Sequence, residues 1–261
     1  MPILARLLMA AWSLLALPLY AQTEPEKESK TDKGRHVRFL PVGDIPPFRQ
    51  EIRDGIAYEL PPSPGSVPPA KVILGVNDDS RQEADLQLGQ ITEPLKVPAG
   101  AGPLTVRRKG EKEDSVPWLK LDRPEEGDFL VVLWRDPVER TWNATRSVVI
   151  AEDPESAPAG TARFINLSPV TVGVVFGGEN LALLAGKSFR RKLPLGVDTP
   201  FQVGAADPKG GIKRYYSGSF FQNPNERSLA IIYKADGVDP RLPLKTFVMR
   251  ESVSPPPPKP R

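Results

Sequence analysis

Phe129-Leu130-Val131-Val132-Leu133-Trp134-Arg135-Asp136 is an apolar run closed by an aromatic, a base and an acid. So short a run, rich in β-branched residues and bounded by turn residues, reads as a strand. The pattern returns at Ser228-Leu229-Ala230-Ile231-Ile232-Tyr233-Lys234-Ala235-Asp236, with aromatic, base and acid in the same order. In both places a loop and a last strand follow. These are Ser147-Val148-Val149-Ile150-Ala151-Glu152 and Thr246-Phe247-Val248-Met249-Arg250-Glu251. Upstream, Ala99-Gly100 and Arg107-Arg108-Lys109 find matches in Ala185-Gly186 and Arg190-Arg191-Lys192. Matched landmarks lie 83 to 99 residues apart, the size of one immunoglobulin-like sandwich. The reading is a tandem duplication with loop changes.

Short β-type runs between turn residues occupy the rest of the chain from Ala70. They are 71–76, 84–88, 104–108, 118–121, 129–134 and 146–151, then 162–166, 171–176, 181–184, 188–192, 201–205, 212–221, 228–234 and 245–250. Before them, 36–40 alternates as a short strand, and 56–60 runs on from the turn dipeptide Asp54-Gly55. After the first 21 residues, apolar positions do not recur at helical spacing over three turns. The expected fold is all-β, two tandem immunoglobulin-like β-sandwich domains with disordered ends. Its expected boundaries are a signal peptide at 1–21, a flexible leader at 22–35, and short strands with a Pro-rich linker at 36–69. The first sandwich then covers 70–153, a linker 154–160, the second sandwich 161–252 and a Pro-rich tail 253–261.

The beginning of the chain sets the compartment. Arg6 precedes an uncharged apolar run at 7–17, Pro18 breaks it, and Ala21 offers a small residue before Gln22. Basic, apolar and small, in that order, is the plan of a secretory signal. The run is shorter than the ~20 residues that span a bilayer. The expected location is therefore extracytoplasmic (periplasmic, cell-surface or secreted), with no transmembrane span after cleavage. The chain has no cysteine, which excludes disulfide staples, a lipidated cysteine and thiolate metal sites. Proline is abundant, with 31 residues, many in Pro61-Pro62-Ser63-Pro64, Pro68-Pro69 and Pro255-Pro256-Pro257-Pro258. Such runs favour extended spacers over helix or sheet.

Arg163-Phe164-Ile165-Asn166-Leu167-Ser168-Pro169, with Leu184-Ala185-Gly186-Lys187 downstream, resembles a widespread exported bacterial repeat family of unknown function. More broadly, residues 161–252 resemble the immunoglobulin-like repeats of bacterial envelope and surface proteins. The resemblance implies an extracytoplasmic sandwich and brings no established chemistry. The segment Lys71-Val72-Ile73-Leu74-Gly75, read as the first copy, lacks the Asn-x-Ser-Pro element.

Catalytic groups are scarce. His36 is the only histidine, so a His-based triad or a His-rich zinc site has almost nothing to draw on. Two carboxylates could serve a glycosidase, with candidates in Asp122, Glu125, Glu126 and Asp128, or in Asp136 with Asp153. Asn77-Asp78-Asp79-Ser80 with Glu83 and Asp85 is rich in oxygen ligands, but its spacing is not that of a calcium loop. It reads as a hairpin turn. Gly177-Gly178 reads as a two-residue hairpin turn.

Charge is unequal along the chain. Residues 22–155 hold 19 Lys/Arg against 25 Asp/Glu, whereas 156–261 hold 15 against 7. Within the basic half, Arg190, Arg191 and Lys192, with Lys209, Lys213, Arg214, Tyr215 and Tyr216, interleave bases and aromatics as a polyanion or sugar polymer would require. Alternation along that strand sends half of its aromatics into a core. The expected function is a non-enzymatic exported structural or binding protein of the bacterial envelope, with no cofactor, metal or specific nucleic acid. Its partner would be an anionic envelope polymer or an envelope protein. The alternative is a secreted polysaccharide-acting enzyme with one accessory sandwich.

Overall fold

A computed structural model describes residues 35–75, 81–112, 114–207, 209–238 and 240–253. Among them there are eighteen strands and no helix. The first ten are β1 (Arg35–Pro41), β2 (Gln50–Arg53), β3 (Ile56–Glu59), β4 (Lys71–Gly75), β5 (Arg81–Asp85), β6 (Leu95–Val97), β7 (Gly102–Arg108), β8 (Leu119–Arg123), β9 (Phe129–Arg135) and β10 (Thr145–Ala151). The other eight are β11 (Thr161–Asn166), β12 (Val172–Phe176), β13 (Glu179–Leu183), β14 (Ser188–Lys192), β15 (Asp198–Ala206), β16 (Ile212–Phe221), β17 (Glu226–Lys234) and β18 (Leu244–Ser252).

Four four-stranded sheets result, ordered β10-β9-β1-β6, β5-β4-β7-β8, β14-β11-β17-β18 and β13-β12-β15-β16. Numbered within each half, with the β2–β3 hairpin set aside, the orders are the same strand for strand. So are the directions: β1 runs parallel to β9 as β11 does to β17, and the pairs flanking them are antiparallel. The β2–β3 hairpin has no counterpart in the second half, and all eight of its strand residues are exposed.

These pairings correct part of the sequence reading. β1 belongs to the sheet of β9, so the first half begins at Arg35 and not at Ala70. The counterpart of β11 is therefore β1, while 71–75 is β4, the counterpart of β12. β14 corresponds to β6, so Arg107-Arg108-Lys109 at the end of β7 is not the mate of Arg190-Arg191-Lys192, nor Ala99-Gly100 that of Ala185-Gly186. Local composition is similar at those places, and only hydrogen-bonded pairing tells them apart. Strands β2 and β6 escaped the pattern. Gln50-Glu51-Ile52-Arg53 is mostly polar, and Leu95-Lys96-Val97 is too short to show alternation. Gly177 and Gly178 do make the expected two-residue turn, with φ of 56° and 92° joining Phe176 to its partner Glu179. The signal segment, the leader as far as residue 34, 77–80 and the tail from Ser254 lie outside the described residues, while Arg35, placed in the leader by the sequence reading, opens β1.

Three apolar cores hold the sheets as four layers. On β1 and β9, Val37, Phe39, Phe129, Val131 and Leu133 point towards β4 and β7 in the first core. On β11 and β17, Ala162, Phe164, Ala230 and Ile232 point towards β12 and β15 in the second. The residues between them face the other way. Leu40, Leu130 and Val132 meet Ile165, Leu229, Ile231 and Tyr233 in a third core that joins the halves. β9 is therefore buried on both faces, which is why it reads as a continuous apolar run instead of an alternating one.

Because the third core is continuous with the other two through β9 and β17, the halves should unfold together. Ile231→Ala, at a fully buried position of the joining core, should cost about 3 kcal/mol. Urea unfolding should remain a single transition by tryptophan fluorescence and by far-ultraviolet dichroism. Two separated transitions in the parent chain would contradict one cooperative unit.

Candidate functional site: the junction between the halves

The joining core uses equivalent positions of the two halves. Leu40 corresponds to Ile165, Leu130 to Leu229, Val132 to Ile231, Val148 to Phe247 and Ile150 to Met249. Such self-matching contacts are those of an approximate two-fold axis, as in an isologous dimer. Polar groups close the two ends of this apolar contact.

At one end, Glu152, just past β10, and Glu251, near the end of β18, are bridged by two arginines. Arg38 Nε and Nη2 donate to Glu152 at 2.8 and 2.5 Å, and its Nη1 to Glu251 at 2.8 Å. Arg227 Nε donates to Glu251 at 2.6 Å and its Nη2 to Glu152 at 2.7 Å. All four side chains are largely buried. Burial alone would raise the Glu251 carboxyl. The hydrogen bond from Arg38 and the charges of Arg227 and Arg38 outweigh it and hold the group below its ordinary value of 4.5.

The segment expected to be a linker is clamped. Arg163 donates to Ala151 O at 2.9 Å and Ser156 O at 2.6 Å. Arg227 reaches Glu152 O and Ala157 O, and Arg190 reaches Glu155 O and Ser156 O. Asp153 accepts from the backbone N–H of Glu155 and Ser156, making a tight turn. At the other end Arg135, 6% exposed, donates to Asp236 at 2.5 Å. Asp44 accepts from Tyr233 Oη and from Gly237 N, and pairs with Lys245 at 2.8 Å. Burial, with the charge and hydrogen bond of Asp44, pushes the Tyr233 phenol up.

Between β10 of the first half and β11–β14 of the second lies a cleft of about 680 Å³. Its apolar wall includes Val148, Ile150, Ile165 and Leu167. Arg140, Lys187 and Lys234 stand around it, exposed and without an ion pair among the described residues. The one carboxylate lining it is Asp236, held by Arg135. The cleft presents an aliphatic surface under a positive potential.

The surface expected from sequence is divided. Arg190, Arg191 and Lys192 lie on β14, one edge of its sheet, while Lys213, Arg214, Tyr215 and Tyr216 lie on β16, which touches β18 at the opposite edge. Arg190 is spent on the clamp. Arg191 sits over the Phe189 ring, 5.1 Å away, and near Glu179 at 3.8 Å. Tyr215 and Tyr216 pack on the second core, with Lys213 beside the Tyr215 ring. Arg214 touches Gln202. Lys192 is exposed, as is Lys209 in the β15–β16 loop.

The acids are divided too. Thr145 pairs with Arg135 and Ala151 with Phe129, so Asp136 and Asp153 lie off opposite ends of the β9–β10 hairpin, about 20 Å apart at ~3.3 Å per residue. Asp136 binds Arg146 at 2.6 Å, and Asp128 accepts from the backbone of His36. Glu83 is bound by Lys71 and Lys109, which hold its carboxyl at about 2. Among the described residues, no group of three or more His, Asp or Glu is placed to hold a metal. Sequence reasoning passed over Arg38, Arg227 and the cleft. Its available signal was the acid repeated at the end of each half's last apolar run, Glu152 and Glu251.

No family model matches the chain, and no curated protein matches its sequence.

The ion pairs at the junction make acid a specific threat. With its folded pKa depressed, Glu251 contributes stability that is present above its unfolded value near 4.5 and lost as pH falls through the lower folded value. The melting temperature should fall as the pH drops below about 4.5. Glu251→Gln should lower stability by about 1–3 kcal/mol at pH 7 and flatten that acid limb. An unchanged acid limb in thermal melts of this variant would assign the sensitivity elsewhere.

Proposed function

We propose that this chain is a non-catalytic, exported binding protein in which two tandem immunoglobulin-like sandwiches are fused back to back, and that it takes an anionic partner in the cleft between them. The observation that carries the reading is the cleft itself, aliphatic in its walls and ringed by Arg140, Lys187 and Lys234. Unpaired bases over an apolar surface attract and then hold an anion that brings apolar bulk of its own. Each half has the size of an immunoglobulin sandwich, though its orders, 4-1-7-8 over 3-2-5-6, are its own rather than the ABED and CFG of a constant domain. The apolar opening of the sequence, Arg6 followed by 7–17, supports export.

The same bases set the test. Fluorescein-labelled poly-L-glutamate should bind the purified chain in a fluorescence anisotropy titration, and binding should weaken as salt rises. The pair Lys187→Glu and Lys234→Glu should weaken it about tenfold or more at low salt. Lys192→Glu with Lys213→Glu, which reverses two bases outside the cleft, should change it less than about twofold. Equal losses from both pairs would mean diffuse surface charge and no cleft site.

A further inference from the structure

The approximate two-fold axis implies two clefts, yet one of them is closed by the chain itself. The link from β5 to β6, residues 86–94, is longer than its counterpart from β13 to β14, residues 184–187. Both begin alike: Gly89 N donates to Pro41 O as Gly186 N donates to Asn166 O, and Pro41 and Asn166 are equivalent positions. Both glycines are left-handed, with φ of 75° and 70°. From there they differ. In the first half, Gly89 lies so close to Phe247 of β18 that an added Cβ would stand 3.3 Å from the ring. Ile91 then packs on the joining core, and Thr92 N and Oγ1 bond Phe39. In the second half the chain turns straight into β14, and the equivalent space beside Val148 and Ile150 is the open cleft.

We infer that the open cleft takes an extended peptide with an aliphatic anchor next to acidic residues, seated as 89–92 of this chain is seated on the opposite side. This rests on the cleft being the binding site and adds the class of its occupant. The molecule displays what fits a groove of this shape: a stretch of backbone carrying one isoleucine, with Glu93 directly after the anchored Ile91-Thr92. Val148 corresponds to Phe247 and is much smaller, while Ile150 matches Met249 in bulk, so the open side has more room beside Val148. The charge of the rim is what the closed side lacks a use for. Arg140, Lys187 and Lys234 await acids that a peptide from outside would supply.

The experiment uses the whole chain, isotope-labelled, and a synthetic peptide copying residues 86–94, Leu-Gln-Leu-Gly-Gln-Ile-Thr-Glu-Pro. In amide correlation spectra at low salt, millimolar peptide should shift resonances of Val148, Ile150 and Ala185–Lys187. A peptide with aspartate in place of its isoleucine should bind at least about tenfold more weakly, and one with a second glutamate after the first should bind more tightly. Ala185→Trp, a substitution at an exposed position that fills the cleft, should abolish the peptide shifts while leaving poly-L-glutamate binding at the rim. Equal binding of the aspartate peptide, shifts centred outside the cleft, or no shifts at all would overturn the inference. In the unsubstituted chain, poly-L-glutamate binding without peptide binding overturns the peptide and spares the anion site. Loss of both overturns both.

Discussion

Two strands, β9 and β17, are buried on both faces, and the rest of the molecule is arranged around that constraint. A strand in an ordinary sandwich shows one face to a core and the other to water. Here Leu130, Val132 and Ile231 have no water to face, and Leu229 has little. Exposing them would leave an apolar patch on each half, so the halves meet along these faces and exclude water between them. Four layers on three cores follow, where two layers on one core are the usual domain plan.

Burying the middle of the contact obliges its ends to be polar and matched. Glu152 and Glu251 reach the same edge from opposite halves, two like charges in a partly dry place. Arg38 and Arg227 neutralise both at once, each spanning the pair through planar guanidinium forks. A lysine offers a single ammonium and would not make the same four-way closure. At the other edge, Asp44 and Asp236 gather Arg135, Tyr233 and Lys245 across the same contact. Removing one member strands the others, which makes these groups guards of the geometry more than sources of net stability.

The cleft is a by-product of unequal loops on an otherwise repeated frame. The β5–β6 link closes one side with Ile91, and the shorter β13–β14 link leaves the other side open between β10 and β11. The basic character of the second half is then read differently from what its composition suggested. Arg163, Arg190 and Arg227 are consumed by carbonyls of 151–157, holding the connection between the halves still. Of the bases outside that clamp, Lys187 and Lys234 stand at the cleft, with Arg140 of the first half, while Lys192 and Lys209 are exposed elsewhere.

Alternation, turn dipeptides and the missing helical period made the all-β class legible from sequence, because strand geometry imposes a period of two and two-residue turns need left-handed residues. The echo of Phe129–Asp136 in Ser228–Asp236 likewise carried the repeat, since equivalent strands bury equivalent apolar faces. Local pattern could not say which strands would pair. Arg107-Arg108-Lys109 and Arg190-Arg191-Lys192 look alike, yet one lies on a strand of the outer sheet and the other on an edge of an inner one. Nor could it say that Val132 and Ile231 would face each other, that β1 would cross back to lie parallel to β9, or that Arg190 and Tyr215 would be parted. Those outcomes depend on contacts between residues far apart in the chain, where packing and hydrogen-bond closure decide among patterns that are locally equivalent.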